Sequence, residues 1–543
     1  MTLWDDVGVS ESAREWRAVG FDLDGTLVDT EPEWAIAKRT VARSFGQEWT
    51  EEDDMATLGR TVQESAQLML DRGAQGELQE VTHRIGAEVA AATAEHVPFL
   101  PARPQLLDEL AEAAIPAAIV TNALAAVIAG TAAAAPHAIR AAVSREDVEH
   151  AKPHPEPYLT AAERLMTAPE DCIAVEDSIA GAHRCGDGGV VRLHTNFPHH
   201  RAGVLRLLGC EGTREAVGAA LRSRWAAHGF EDAAAAAGLC VSAMRGFAEW
   251  DAHPQGAASA LLPPLRVERI GDAPPTPLPP LAARPLEGLR VLDLTRVIAG
   301  PVCGRTLAAH GAEVLHVSAA HLPSFDALLP DTGRGKRSAR IDLRAPEGRD
   351  RLRALAAGAD VFLQGYRPGA VAARGFPPEA LAALRPGIVC VSLSAYGEVG
   401  PWGARRGFDS LVQTASGFNV AEAEAAGAEP PKPLPCQALD HASGHLLAFG
   451  ALAALLRRAE EGGSWHVRVS LAGTGAWLRG LGRLDGGFAA PAPRFEDAAD
   501  LLEESESGWG RLRALRHSGE LEKTPPRWAY PSVPLGTHEA AWA

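Results

Sequence analysis

The sequence predicts an α/β protein with two Rossmann-like parallel-sheet domains, the first carrying an inserted helical cap, plus a small, mainly helical domain. Short apolar strands alternate with helical runs in two separate stretches of the 543-residue chain, a pattern that implies parallel sheets covered on both faces. A helical block interrupts the first stretch directly after its opening strand. A proline-rich passage, "DAPPTPLPPLAARPLEG" at 272–288, precedes the second stretch; its prolines remove backbone donors and favour an extended connection. A chain of this length exceeds one core, so two to four domains are expected.

In order, "RAVGFDLDGTLVD" reads as a strand and a loop. From Glu31 to about His96 apolar residues recur at three- and four-residue spacing, as in "WAIAKRTVARSF", which is the helical period of the cap. "LLDELAEAAIPAAIVTNALAAVIAG" alternates helix, strand and helix, "AKPHPEPYLTAAERL" is a loop entering a helix, and "DCIAVEDSIAGAHRCG" is strand, acidic tip and helix. These elements make a first domain over 1–188. Residues 189–271 are mostly helical and form the small domain. After the 272–288 linker, "LRVLDLTRVIAGPVCGRTLAAHGAEVLHVSA", "GADVFLQGY" and "GIVCVSLSAYG" supply the strands of the second Rossmann-like domain, 289–478, with right-handed crossovers expected. Residues 479–543 form a tail returning to that domain. Within it "FEDAADLLEESESGWG" reads as a solvated helix face, while "AEAEAAGAEPPKP" at 421–433 reads as a surface loop.

A net charge of −17 repels polyanions and argues against nucleic acid as a partner. Seven scattered cysteines without a C-x-x-C pair fit free thiols in a reducing cytoplasm. The acidic N-terminus has no h-region, and no run reaches the roughly 18 apolar residues of a membrane span. A cytoplasmic protein without a membrane partner is therefore expected. His194, His199 and His200 crowd "HTNFPHHRAG", but adjacent histidines point apart and no acid accompanies them, so no metal is expected there.

Two constellations carry chemistry. In parallel sheets, ligands collect beyond the carboxyl ends of the strands. Asp22 and Asp24 follow "VGF", Thr121 follows "AAIV", and Glu176 and Asp177 follow "CIAV", with Lys152 on a loop before a helix. Acids facing one point repel unless a divalent cation lies between them, and hard oxygens suit Mg²⁺. Lys152 and the Thr121 hydroxyl would hold phosphoryl oxygens. Taken singly, a D-x-D is common surface chemistry and a Thr after a strand is a capping turn. All of them in this order at strand tips are hard to obtain by accident.

Over residues 17–193 the sequence resembles the haloacid-dehalogenase superfamily of phosphatases and phosphomutases, through "DLDGTLVDTE", "VTN", "KPHPEPY" and "VEDSIAGA". The resemblance implies that Asp22 is the nucleophile forming an aspartyl-phosphate and that Asp24 is the general acid and base. It implies that Asp22, Asp24, Glu176 and Asp177 bind Mg²⁺. Small phosphorylated metabolites would be the substrates, with Gly59 and Arg60 in the cap as contacts. Past the fourth motif "GDGGVVRLHTNFPHHRAGV" runs on with a different character from the further strand and helix usual in such domains.

The second constellation centres on Asp440 in "QALDHASGHLLAFGALAALLRR", before a long apolar helix. An aspartate there is also a favoured N-cap, worth roughly 1 kcal/mol. Arg334, Lys336, Arg337 and Arg367 concentrate cations in Gly-flanked segments of an acidic chain, which is how nucleotide phosphates are held. Over about 284–475 the sequence resembles the family III (CaiB/BaiF) CoA transferases, through "GLRVLDLTRVIAGP", "GRGKRSARIDLRAPEGR", "GADVFLQGYRPGAV" and "ALDHASGHLLAFGALAAL". That resemblance implies acyl-CoA:carboxylate CoA transfer through an aspartyl-CoA thioester at Asp440. Arg296, Ala299, Gly300, Pro301, Arg334, Lys336, Arg337, Tyr366 and Arg367 would bind coenzyme A. It implies a homodimer as well, acting on acyl-CoA and a carboxylic acid. Gly365 stands where the family commonly has Asn, and the small-domain half lies upstream, with "YPSVPLGTHEAAW" resembling the closing strand. The developing oxyanions would sit near helix N-terminal N–H donors.

Overall fold

The computed structural model describes residues 17–24, 26–50, 53, 62–95, 97–100, 103–150, 152, 156–175, 181–212, 214–278, 284–428, 430–484, 486–489 and 496–543. The chain forms two compact units. One spans Met1–Ala180, Gly212–Ala216 and Pro493–Asp497, and the other Gly181–Glu211, Val217–Ala492 and Ala498–Ala543.

The first unit is built on four parallel strands, β1 (Ala18–Phe21), β2 (Ala117–Val120), β3 (Ile139–Val143) and β4 (Cys172–Val175), in the order β3-β2-β1-β4. Short apolar strands such as "AVGF" and "AAIV", buried along their length, are what a sheet covered on both faces requires. Helices α1 (Glu31–Ser44), α2 (Val62–Asp71) and α3 (Leu78–Glu95) follow β1, and α4 (Arg103–Glu112) leads into β2. Helix α5 (Ala125–Ala134) follows β2, and α6 (Glu156–Arg164) precedes β4. Ile85 and Val89 of α3 join Val127 of α5 and Phe21 of β1 in one core. The register pairs Phe21 with both Ile119 and Val175, so β1, β2 and β4 end side by side.

The sequence directly after this unit departs from it. "HRCGDGGVVRL" forms β5 (Ala182–Arg184) and β6 (Val190–Leu193), which pair antiparallel with each other, and β6 pairs antiparallel with β7 (Val241–Ala243). Helices accompany them in the second unit, among them α7 (Pro198–Leu208), α8 (Ala227–Ala236), α9 (Phe247–Ala252) and α10 (Pro254–Ala260).

Seven strands make the large sheet, in the order β11-β10-β9-β12-β13-β14-β8. They are β8 (Leu265–Gly271), β9 (Arg290–Asp293), β10 (Glu313–Ser318), β11 (Lys336–Arg340), β12 (Val361–Gln364), β13 (Val389–Ser394) and β14 (Ser464–Ser470). All pair in parallel except β8, which lies antiparallel on β14. The strand just upstream of the proline-rich passage is therefore the edge of the sheet that lies downstream of it. Helix α11 (Ala299–Ala309) follows β9 and packs on α15 (Ala438–Glu461). Helices α12 (Pro346–Ala357) and α13 (Pro378–Leu384) precede β12 and β13, α14 (Asp409–Ala415) precedes α15, and α16 (Leu471–Gly480) follows β14. Helix α15 is long and apolar enough to span a membrane by length and composition, but it packs into the core through Leu447, Ala451 and Leu455.

The tail differs from its sequence pattern. Of the acidic run expected as a helix face, Glu496–Leu501 is a 3-10 helix, but residues 502–515 form a hairpin, β15 (Leu502–Ser507) and β16 (Gly510–Leu515). Opposite charges meet across it, Glu504 with Arg513 and Glu506 with Arg511, and Gly510 turns at φ 101°, where glycine pays no steric penalty. "YPSVPLGTHEAAW" forms no strand, because Pro531 and Pro534 cannot donate to a ladder. It lies along β11 all the same, with His538 donating its backbone N–H to Ser338 O at 2.7 Å and Gly335 donating to Tyr530 O at 2.9 Å. "AEAEA" continues a helix, Phe418–Ala425, with Ala423 fully buried, where a surface loop was expected.

Candidate active sites

In the first unit, Asp22 extends β1 and Thr121 extends β2, and both are buried. Lys152 reaches Asp22 and ion-pairs with it. Its loop is fixed by Asn122, whose side chain accepts the Lys152 backbone N–H at 2.9 Å and donates to the Lys152 carbonyl at 3.1 Å. Thr121 Oγ1 accepts the Ala123 N–H at 3.0 Å, so its capping bond forms at the same strand tip. Asp24 is held from the cap side. The Thr30 hydroxyl donates to Asp24 Oδ1, and Trp34 Nε1 donates to the same oxygen at 3.2 Å. Thr30 stands at the N-cap of α1 and makes no capping bond with its side chain; the hydroxyl serves Asp24 instead. Sequence reasoning placed Asn122 at the strand tip in "VTN" without giving it a role, and missed Thr30 and Trp34, although a Thr before Glu-Pro at a helix start was a visible signal. Asp22, Asp24, Thr121 and Lys152 are thus brought to one edge of the sheet. Glu176, Asp177, Gly59 and Arg60 lie outside the described residues. Among the described residues no three metal-ligating side chains come together; Asp22 and Asp24 are the described part of the expected oxygen set, and carboxylates are the ligands a hard divalent cation takes.

In the second unit, Asp440 is buried and lines a cavity of about 1050 Å³. Asp440 is not the N-cap of α15. That place belongs to Gln437 (φ 50°), and Asp440 is the third helical residue. Its backbone N–H donates to Asp409 Oδ2 at 2.8 Å. Leu439 also hydrogen-bonds Asp409 through its backbone. The first-turn donors of α15 are therefore engaged by a carboxylate, and the expected donors for an oxyanion are not these two. The start of α11, with Ala299, borders the same cavity and brings the positive end of a helix dipole to it. Burial, then the Asp409 charge, pushes the Asp440 carboxyl well above its ordinary range.

Among the described residues lining this cavity, Asp440 is the one carboxylic acid, against six arginines: Arg296, Arg344, Arg367, Arg374, Arg405 and Arg406. Arg296, Ala299, Tyr366 and Arg367 come together with Asp440 as the sequence suggested. The Arg296 loop holds Val297 at φ 71°, a β-branched residue in the left-handed region. Such strain is worth of order 1–3 kcal/mol and collects at functional sites.

Four of the expected coenzyme contacts have other work. Lys336 Nζ is buried between Asp293 Oδ2 and the Pro301 carbonyl, each at 2.8 Å. Arg334 pairs with Asp331 at 2.5 Å and Glu503 at 3.2 Å and lies over Trp528. Arg337 donates to the Ala541 carbonyl at 2.8 Å. Gly300 is buried in α11, and a Cβ there would lie 2.3 Å from Thr295 Cβ, so it acts through close packing. These residues hold the Arg296 loop and the tail, and none of the four borders the large cavity. Pro301 borders a smaller cavity with Arg296 and Lys336.

The upstream segment supplies what sequence reasoning left unassigned. Phe197, Pro198, His199, His200 and Cys240 line the cavity together with Asp440. His194 stacks on Phe408, with ring centroids 3.7 Å apart, and His200 meets Phe197 edge-on. Burial holds His194 down to about 3 and His200 down to about 4. The three histidines are thus parts of an aromatic wall.

Residues 16–183 match the family model of haloacid dehalogenase-like hydrolases, and residues 286–494 match that of CoA-transferase family III. Both segments belong to enzyme families. The CoA-transferase segment is 37% identical over 203 residues to the "Probable fatty acyl-CoA transferase Rv3272" of Mycobacterium tuberculosis, covering 35% of this chain and 51% of that protein. The chain thus spans about half the length of this curated relative. A crystal structure of the same mycobacterial protein aligns at a TM-score of 0.41 and 24% identity, over 48% of this chain and 99% of that one. The hydrolase segment is similar to CbbY from Rhodobacter sphaeroides, solved in complex with phosphate, at a TM-score of 0.27 and 25% identity, over 30% of this chain and 78% of that one.

Proposed function

We propose that the chain is a bifunctional fusion, a Mg²⁺-dependent phosphate-monoester hydrolase joined to an acyl-CoA:carboxylate CoA transferase. What supports the second activity is Asp440, the one carboxylic acid among the described residues lining an arginine-rich cavity large enough for a nucleotide thioester. An Asp440 oxygen attacks the thioester carbon, the C–S bond breaks, and coenzyme A leaves as a thiolate. The thiolate attacks the Asp440 carbonyl of the mixed anhydride, releasing the donor acid and leaving an aspartyl-CoA thioester. The incoming carboxylate repeats the sequence in reverse, and Asp440 is regenerated. Arg296, Tyr366 and Arg367 bind the coenzyme. Residues 189–271 supply the opposite wall, completing one active unit with the sheet domain, and the unit works as a homodimer in the cytoplasm.

In the hydrolase, Asp22 attacks phosphorus and the ester oxygen leaves with a proton from Asp24. Water then attacks the aspartyl-phosphate, returns a proton to Asp24 and frees Asp22. Lys152 and Thr121 hold the phosphoryl oxygens. Asp22, Asp24, Glu176 and Asp177 would hold Mg²⁺, which neutralises phosphate charge when bound. The substrate class is a small phosphorylated metabolite.

Two assays test this. Magnesium-dependent phosphate release from a generic ester should vanish in Asp22→Asn; folded wild-type protein without that release would overturn the hydrolase. Hydroxylamine should trap an adduct at Asp440 when acyl-CoA is present. Coenzyme A binding with nothing trapped would make the second half a binding module and not an enzyme.

A further inference from the structure

The segment "GFDSLVQTASG" places Asp409 at the start of α14, only 1% exposed. Both of its oxygens are committed: Oδ2 accepts the Asp440 N–H at 2.8 Å and Oδ1 accepts from the Gln413 side chain. Gln413 is locked in turn, its Oε1 accepting the Leu434 N–H at 2.8 Å just before the left-handed pair Cys436-Gln437 that opens α15. One aspartate therefore ties α14 to the first turn of α15 and sets a second carboxyl group against the one in the cavity.

We propose that Asp409 is a positioning residue for Asp440, clamping the turn that carries it and facing it with a like charge, so that the Asp440 carboxylate is a stronger nucleophile than an isolated one. This rests on Asp440 being the group that bonds to the thioester carbon as the C–S bond breaks. A neighbouring negative charge destabilises the free carboxylate and is relieved when that oxygen becomes part of an acyl bond, so the reaction is driven from the ground state. The surrounding charges agree with this division. Burial raises the Asp409 carboxyl too, but the Asp440 and Leu439 N–H donors, the Gln413 side chain and the Arg192 charge oppose that rise, whereas among the described residues Asp440 has no such partner, so Asp409 is the member of the pair better equipped to hold the charge. His441, on the helix of Asp440, faces Arg305, Asp331 and Asp409. Arg296, Arg405 and Arg406 and the imidazoles of His199 and His200 line the cavity from the other elements.

The test is Asp409→Asn in the full chain, with two readouts. In the first, the rate of Asp440 adduct formation with acyl-CoA is followed against pH. The wild-type rate rises as Asp440 loses its proton. In the variant the rise should come at lower pH, by about one unit or more, and reach a lower plateau, so that the two curves cross. A variant slower at every pH with its rise unmoved would overturn the proposal, leaving Asp409 a structural cap. The second readout is infrared titration of the carboxyl C=O stretch, with the Asp440 band identified by its absence in Asp440→Asn. That band should titrate at lower pH in Asp409→Asn, and an unmoved band would overturn the inference even in a protein with no transferase activity. Should Asp409→Asn fail to fold, wild type and Asp440→Asn decide the matter. The pair should titrate in two separated steps, and Asp409 alone in a single step below the upper one; an Asp409 step indifferent to residue 440 would overturn the coupling.

Discussion

Asp440 places a proton where folding, not only catalysis, can feel it. Burial and the Asp409 charge raise its carboxyl well above the ordinary value of 3.8, so between that value and the raised one the folded chain holds a proton that the unfolded chain has lost. Its contribution to stability is full below pH 3.8 and disappears as pH rises through the raised value. Asp440→Asn should therefore be more stable than wild type at pH 8, with the gap shrinking as pH falls towards 4; urea midpoints at several pH values measure it, and a gap independent of pH would contradict the burial argument. The same scale shows why some expected contacts were legible and others were not. Asp440, Arg296, Tyr366 and Arg367 stand beside their strand and helix ends in the sequence, and the fold brings them together. Lys336 and Arg334 looked equally available, but Lys336 is taken by Asp293, 43 residues away, and Arg334 by Glu503, 169 residues away, as well as by the neighbouring Asp331. Local pattern carries no trace of the two distant pairings.

The crossing of α11 and α15 connects packing to the site. A Cβ on Gly444 would lie 2.6 Å from the Ala299 carbonyl and 2.7 Å from Val302 Cβ, and neither can yield without moving α11. Ala299 borders the cavity, so the displacement reaches the ligand. Gly444→Ala should cost about 1–3 kcal/mol by overpacking, read as a lower urea midpoint, and should also weaken coenzyme A binding. Gly450 is the control: there a Cβ would meet only the side-chain ends of Val467 and Leu265, so Gly450→Ala should leave binding unchanged. Equal effects on binding from both variants would refute the link. At this scale the sequence was most readable where strands are short, apolar and internal, as in "VLDL", "VFLQ" and "VCVSLS". It was least readable at the tail, where an acidic run suited a helix face as well as a hairpin and only the cross-strand Arg residues settle the choice.

Over the whole molecule, the two units should respond to acid in different windows. The second unit buries neutral histidines: burial depresses His200 and His466 to about 4 each. Both are well enclosed, and His466 Nε2 lies 2.9 Å from Ser392 Oγ. A depressed histidine is deprotonated when folded while its unfolded form takes a proton near 6.5, so stability falls as pH drops below 6.5 and levels out near 4. Each group removes about 1.4 kcal/mol per pH unit across that range, and two together exhaust a large part of an ordinary stability margin within two units. The raised Asp440 carboxyl adds stability in the same direction of pH and offsets part of this loss. The first unit behaves otherwise. Its Asp53, held down to about 2 chiefly by the Arg72 side chain at 2.5 Å, stabilises above pH 3.8 and loses that contribution only as pH falls through 2. Calorimetry should therefore show a second-unit transition moving to lower temperature between pH 6.5 and 4.5, while the first-unit transition holds nearly still. His466→Gln should flatten the moving one, and a shift of both transitions in parallel would show that the buried imidazoles do not govern the acid response.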